Sequence, residues 1–155
     1  MTEERETAPT PATAAALARS GWTANRSVDV TDLAERLEVA GVPVHDPWRS
    51  FMARFAELEM ETRQAEEIDL RIDDFIGYET SLFASASRRI GLRLTPIGQY
   101  RDSLLLGMAP DGRVFGFHGE DWNFRTRLVG VDGIDALNRL IVDEEHREDD
   151  RAAAE

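Results

Sequence analysis

The sequence has no cysteine and no lysine. Without cysteine there is no disulfide and no thiolate metal site, which fits a reducing compartment. All 18 basic residues are arginine and face 30 aspartates and glutamates, for a net charge of −12. Phosphate backbones repel such a chain, so no direct nucleic-acid binding is expected without a local basic patch. No apolar run approaches the roughly 20 residues of a membrane span. The N-terminus, MTEERETAPT, is acidic and lacks the apolar core of a secretory signal. No membrane contact is expected, and the cytoplasm is the location these absences leave.

Catalytic patterns are also missing. There are three histidines, His45, His118 and His146, far apart and without metal-site spacing. His118 and Glu120 form an HxE fragment like that of zinc deaminases, but the Pro-Cys-x-x-Cys half requires cysteine. There is no phosphate-binding glycine loop and no nucleophile elbow. With 30 carboxylates, neighbours such as Asp73-Asp74 and Glu120-Asp121 arise by chance, and helix capping accounts for the first pair. The sequence therefore predicts no enzyme and no cofactor.

What is present reads as one α+β domain. At 155 residues one domain is the natural expectation. Residues 1–11 carry no large apolar side chain and read as a disordered acidic tail. The body runs over 12–143, and an acidic tail covers 144–155. A first helix, Ala12 to Ser20, stops at Gly21, and Trp22 sits where a Schellman contact packs. In a second, Leu33, Leu37 and Ala40 share a face, with Asp29 or Thr31 as cap and Gly41 as stop. Asp46 followed by Pro47 marks a third start, and Trp48, Phe51, Met52 and Phe55 form its core stripe.

From Leu58 the apolar period becomes two, and Leu58–Arg63 and Ile68–Asp73 read as a hairpin with an acidic outer face. A helix over Phe75–Ile90 follows, ended by Gly91. Leu92 to His118 then forms the centre of the sheet. Leu92 and Leu94 make a strand stopped by Thr95-Pro96, with Pro96 at an edge or strand end. Asp102–Met108 and Arg113–Phe117 pair across the Pro110-Asp111-Gly112 turn. Phe124–Val129 is the last strand. Asp132 caps a closing helix whose Ile134, Leu137, Leu140 and Ile141 face the core.

Two surface features are candidates for partner binding. Glu66 and Glu67 belong to the acidic hairpin. Glu120, Asp121 and Trp122 lie in a polar loop, where an aromatic flanked by acids can anchor a basic partner. The plainer alternatives are solvation and edge protection by the acids, and Trp122 folding back over the sheet edge.

The order of landmarks goes further. Gly21-Trp22 with Arg26, Pro96-Ile97-Gly98, Asp111-Gly112-Arg113-Val114-Phe115, and Gly130 before Asp135-Ala136-Leu137 are together similar to the SUKH superfamily, in its third subgroup of bacterial immunity proteins, from about Leu17 to Val142. The resemblance implies a mixed or mainly antiparallel sheet of about five to six strands, packed with N-terminal, middle and C-terminal helices. It implies a protein without catalytic residues that binds and neutralises a cognate toxin domain, typically a nuclease or deaminase. A basic toxin would suit this acidic chain. The alternative is an intracellular adaptor or regulatory module, which the broader superfamily also contains. A third reading is an enzyme using His118 with Glu120 or Asp121. One departure stands out: Phe55-Ala56-Glu57-Leu58 replaces a Phe-Gly-Gly-Leu of family members. The turn here then uses ordinary dihedrals, or departs from the family pattern.

Overall fold

Among the described residues, three helices lead into a hairpin, a fourth helix bridges to a four-stranded meander, and a fifth follows it. The computed structural model describes residues 7–62, 66–72, 78–101, 104–118 and 126–142. The helices are α1 (Pro11–Arg19), α2 (Thr31–Val39), α3 (Asp46–Phe55), α4 (Tyr78–Ile90) and α5 (Gly133–Val142). The strands are β1 (Glu59–Glu61), β2 (Glu67–Asp69), β3 (Thr95–Tyr100), β4 (Leu104–Met108), β5 (Val114–His118) and β6 (Arg127–Gly130). They form one sheet in chain order, β1-β2-β3-β4-β5-β6, and every pairing is antiparallel. Among the described residues, no helix is long and apolar enough to cross a membrane.

The pleat sorts the side chains. Met60 pairs with Ile68, Ile68 with Tyr100, and Tyr100 with Leu104, so these four share one face. α1 packs on β1, α3 on β3 and α5 on β6, and Ala136 of α5 sits where a side chain at Gly130, opposite Val114, would begin. The opposite face carries Asp69, Gln99, Leu105 and Phe117 in register. There α4 packs Phe83 over Gly107 and edge-on against Phe117, with ring centroids 5.0 Å apart. β4 is therefore covered on both sides. That explains why Leu104-Leu105-Leu106 is a continuous apolar run rather than an alternation.

Several local devices follow the sequence. Gly21 takes φ +94°, and the Trp22 N–H donates to the Leu17 carbonyl at 3.0 Å, closing α1 in a Schellman motif. Asp132 accepts from the Asp135 N–H at 2.8 Å and so caps α5. α2 departs from the expected Asp29 or Thr31 cap: its N-cap is Val30, which makes no side-chain cap bond, and Asp29 only accepts from the Thr31 N–H at 3.0 Å in the turn before it. Residues 7–10, assigned to the tail by composition, lie on α5. The Asn138 side chain accepts from the Thr10 N–H and donates to the Ala8 carbonyl, both at 3.0 Å.

Three further local expectations are corrected. The cap of α3 is not Asp46 but His45, whose Nδ1 accepts from the Trp48 N–H at 3.3 Å. Leu92 and Leu94 precede the strand, and Thr95-Pro96 begins β3 rather than stopping it. Pro96 is tolerated because β2 reaches only Gln99 and Tyr100 of β3. On that side Pro96 has no ladder partner to disappoint, and its carbonyl accepts from the Trp48 indole at 2.7 Å. Finally, the turn at Ala56-Glu57 is not ordinary: Glu57 has φ +70°, in the left-handed region that favours glycine.

The Gly21-Trp22-x-x-x-Arg26 sequence has a structural role. The Arg26 guanidinium donates to the carbonyls of Arg54 at 2.8 Å and Ala56 at 2.7 Å. The Trp22 indole donates to the same Arg54 carbonyl at 3.1 Å and stacks on Phe55, centroids 5.6 Å apart. Together they satisfy the open carbonyls at the C-terminus of α3, where the helix dipole also favours a cation.

Candidate functional site

One helix cannot cover a six-stranded sheet. On the α4 face no other described helix covers either flank of the sheet, and the flanks differ in character. The β5–β6 flank is apolar: Phe115 is half-buried and pairs with Leu128, which is 50% exposed. Arg113 lies over the Phe115 ring at 5.2 Å. The β1–β2 flank is acidic, and it gathers the most distinctive chemistry among the described residues.

That gathering is built by strand register. Glu59 stands directly opposite Asp69, and Glu61 opposite Glu67. Like charges in directly opposed positions destabilise a hairpin, so two such pairs in succession are a cost to the fold. The carboxylates of Glu59, Glu67 and Asp69 each place an oxygen within 4.8 Å of the others. Oxygen donors at that spacing suit a hard cation in principle. Here the cation is a guanidinium. Arg71 grips Asp69 with two bonds, Nε to Oδ1 at 3.0 Å and Nη2 to Oδ2 at 3.1 Å, and it also pairs with Glu59. The Asp69 hydrogen bonds raise the Arg71 pKa further above its usual value, with the charges of Asp69, Glu59 and Glu67 acting in the same direction. Among the described residues, Glu59, Glu61, Glu66, Glu67 and Asp69 stand against Arg71 and Arg101 on this flank, a surplus of three negative charges.

Of the residues singled out from sequence, Glu66 and Glu67 are on this flank. Glu67 belongs to β2, and Glu66 pairs with Arg101 at 3.6 Å. Glu120, Asp121 and Trp122 lie outside the described residues. His118 is exposed at the end of β5, paired with Leu104. The alternation of Ile68, Leu70 and Ile72 against Asp69, Arg71 and Asp73 placed Asp69 and Arg71 on the outer face of the hairpin, but neither was singled out for partner binding. What alternation could not show was that Glu59 would be the residue opposite.

A second feature is a cavity of about 220 Å³ between α3, α5 and the β4–β5 turn. Phe51, Phe55, Met108 and Ile134 give it an apolar floor, and Arg54, Asp132 and Thr7 line its rim. Asp132 there accepts from the Thr7 hydroxyl at 2.5 Å.

A family model described as "SUKH-3 immunity protein" matches residues 9–143. No curated protein and no solved structure matches the chain.

Proposed function

The chain belongs to the SUKH-3 immunity protein family, and on that premise we propose that it neutralises a cognate toxin by binding it through the acidic β1–β2 flank. Glu59, Glu61, Glu66 and Glu67 form the contact surface in this reading, with the buried Asp69 held behind them by Arg71, and the Glu120-Asp121-Trp122 loop contributes a second contact. The toxin is a basic nuclease or deaminase domain, and the encounter takes place in the cytoplasm. The observation that carries the reading is the pair of like-charge oppositions, Glu59 with Asp69 and Glu61 with Glu67. Solubility alone does not require charges to be placed against one another. A surface that a cation must complete does. Arg71 already shows the chemistry, because a guanidinium satisfies two carboxylates at once.

The test separates folding from binding. Glu61→Arg replaces a like-charge opposition by an ion pair with Glu67, so the fold should become more stable by about 0.5 kcal/mol. The same change should slow association with the toxin encoded in the neighbouring reading frame by about tenfold or more. A variant that is more stable and still binds and protects at the wild-type rate would move the contact surface elsewhere.

A further inference from the structure

His45 stands at a junction of three elements. Its Nδ1 accepts from the Trp48 N–H at 3.3 Å, capping α3, and its Nε2 is 3.0 Å from the Met108 carbonyl at the end of β4. A carbonyl only accepts, so Nε2 carries the proton, and Nδ1 must keep its lone pair for the cap. The ring is thus fixed as one neutral tautomer by partners on two different elements.

We propose that His45 is a proton-operated latch: neutral, it fastens the first turn of α3 to β4, and protonated at Nδ1 it uncaps α3 while staying on Met108. Protonation turns the acceptor into a donor aimed at another donor. It also places a cation at the positive end of the α3 dipole. Asp46, on its own helix, and Asp111, in the β4–β5 turn, are the charged groups that favour the protonated ring. Arg113 offsets Asp111 by pairing with it at 2.7 Å. Burial outweighs the two carboxylates and lowers the His45 pKa below the ordinary 6.5.

The release is local. Two other bonds hold this corner to β3: the Trp48 indole to the Pro96 carbonyl and the Thr95 hydroxyl to the Pro43 carbonyl, both at 2.7 Å. Neither involves a titrating group. What loosens is the start of α3 at Pro47, beside Met108 and Gly112, and all three line the 220 Å³ cavity. The latch therefore couples proton concentration to the wall of that cavity. The sign follows from the lowered pKa: the cap is complete above pH 6.5 and is lost as the pH falls through the lower folded value.

The experiment is an imidazole nitrogen titration by NMR on the full chain, with amide exchange measured from about pH 7.5 to about pH 5. His45 should show an unprotonated Nδ1 at the start and a midpoint below 6.5. Protection of the Trp48 amide should fall with that midpoint, while the Trp22 amide, bonded to Leu17, should not follow it. His45→Asn keeps a capping acceptor without a titrating group, and its Trp48 protection should stay level over the range. An Nδ1–H tautomer, a midpoint at or above 6.5, or Trp48 protection that ignores the titration overturns the latch. So does the same pH-dependent loss in His45→Asn.

Discussion

At the scale of single residues, Glu57 bears the clearest cost. An L-residue at φ +70° sits about 1–2 kcal/mol above its right-handed alternatives. The strain is imposed from outside the residue, because the Glu57 N–H donates to the Leu70 carbonyl at 3.0 Å and α3 must turn there into β1. Glu57→Gly should therefore raise stability by about 1 kcal/mol in urea unfolding. Glu57→Ala serves as the control, since it removes the same charge and keeps the strain. Equal midpoints for the two variants would show that charge and not backbone was the cause. Residue-scale properties were unevenly legible. Gly21 and Asp132 act as their types suggest, since each device is local and needs only neighbours in the chain. Pro96 was misjudged because a strand tolerates it only where a distant element, here β2, stops short of it, and His45 because histidine is not among the usual capping residues, although its cap partner Trp48 is three positions on.

At the scale of elements, α3 holds the molecule's corners together. Its apolar stripe, Trp48, Phe51, Met52 and Phe55, is buried as helical spacing predicts. Its two ends are finished by other parts of the chain, His45 at the start and Trp22 with Arg26 at the close. Arg26→Ala should cost about 2 kcal/mol, because two carbonyls at the end of α3 lose a charged donor. Arg26→Lys should recover only part of this, since an ammonium lacks the planar fork that spans both oxygens. Chemical denaturation measures both, and full recovery by lysine would reduce the role of Arg26 to charge alone. Gly98 shows the same dependence on distant partners in the sheet. A side chain there would start 2.3 Å from the Asp69 carbonyl, so β3 approaches the β2 segment as closely as it does only with glycine at that position. The sequence marks Pro96-Ile97-Gly98 as unusual without showing what it lies against.

At the scale of the whole molecule, the two open flanks of the α4 face matter more than the net charge. A charge of −12 supports solubility wherever the acids stand. Opposed acids on one flank add a directed field that reaches about a Debye length, roughly 8 Å at physiological salt. If toxin recognition uses this flank, the association rate should fall steeply between low and high salt while the dissociation rate changes little. Stopped-flow mixing at several salt concentrations measures this, and an association rate indifferent to salt would leave the acids with solubility only. The absence of lysine gives the charge pattern a further property. Every basic side chain other than histidine is a guanidinium, so the chain's own pairs are directional, as in the two-pronged Arg71–Asp69 pair and the single Nε bond of Arg113 to Asp111.

The sequence by itself determined the α+β class, most of the apolar faces of the helices (Ala40, placed on the α2 face, is exposed just beyond that helix), the hairpin after α3, and the turn between β4 and β5. Each depends on a periodicity or a turn residue that acts over a few positions. Its family resemblance rested on the order of such landmarks over most of the chain. Only the tertiary structure decided that Pro96 lies inside the sheet, that His45 caps α3, that Glu57 is strained, and that Glu59, Glu67, Asp69 and Arg71 meet on an open face. A period shows which side of an element is apolar. It does not show which element arrives on the other side, and three of these features are made by that arrival, while the His45 cap is a local bond to Trp48 that the arriving Met108 carbonyl holds in place.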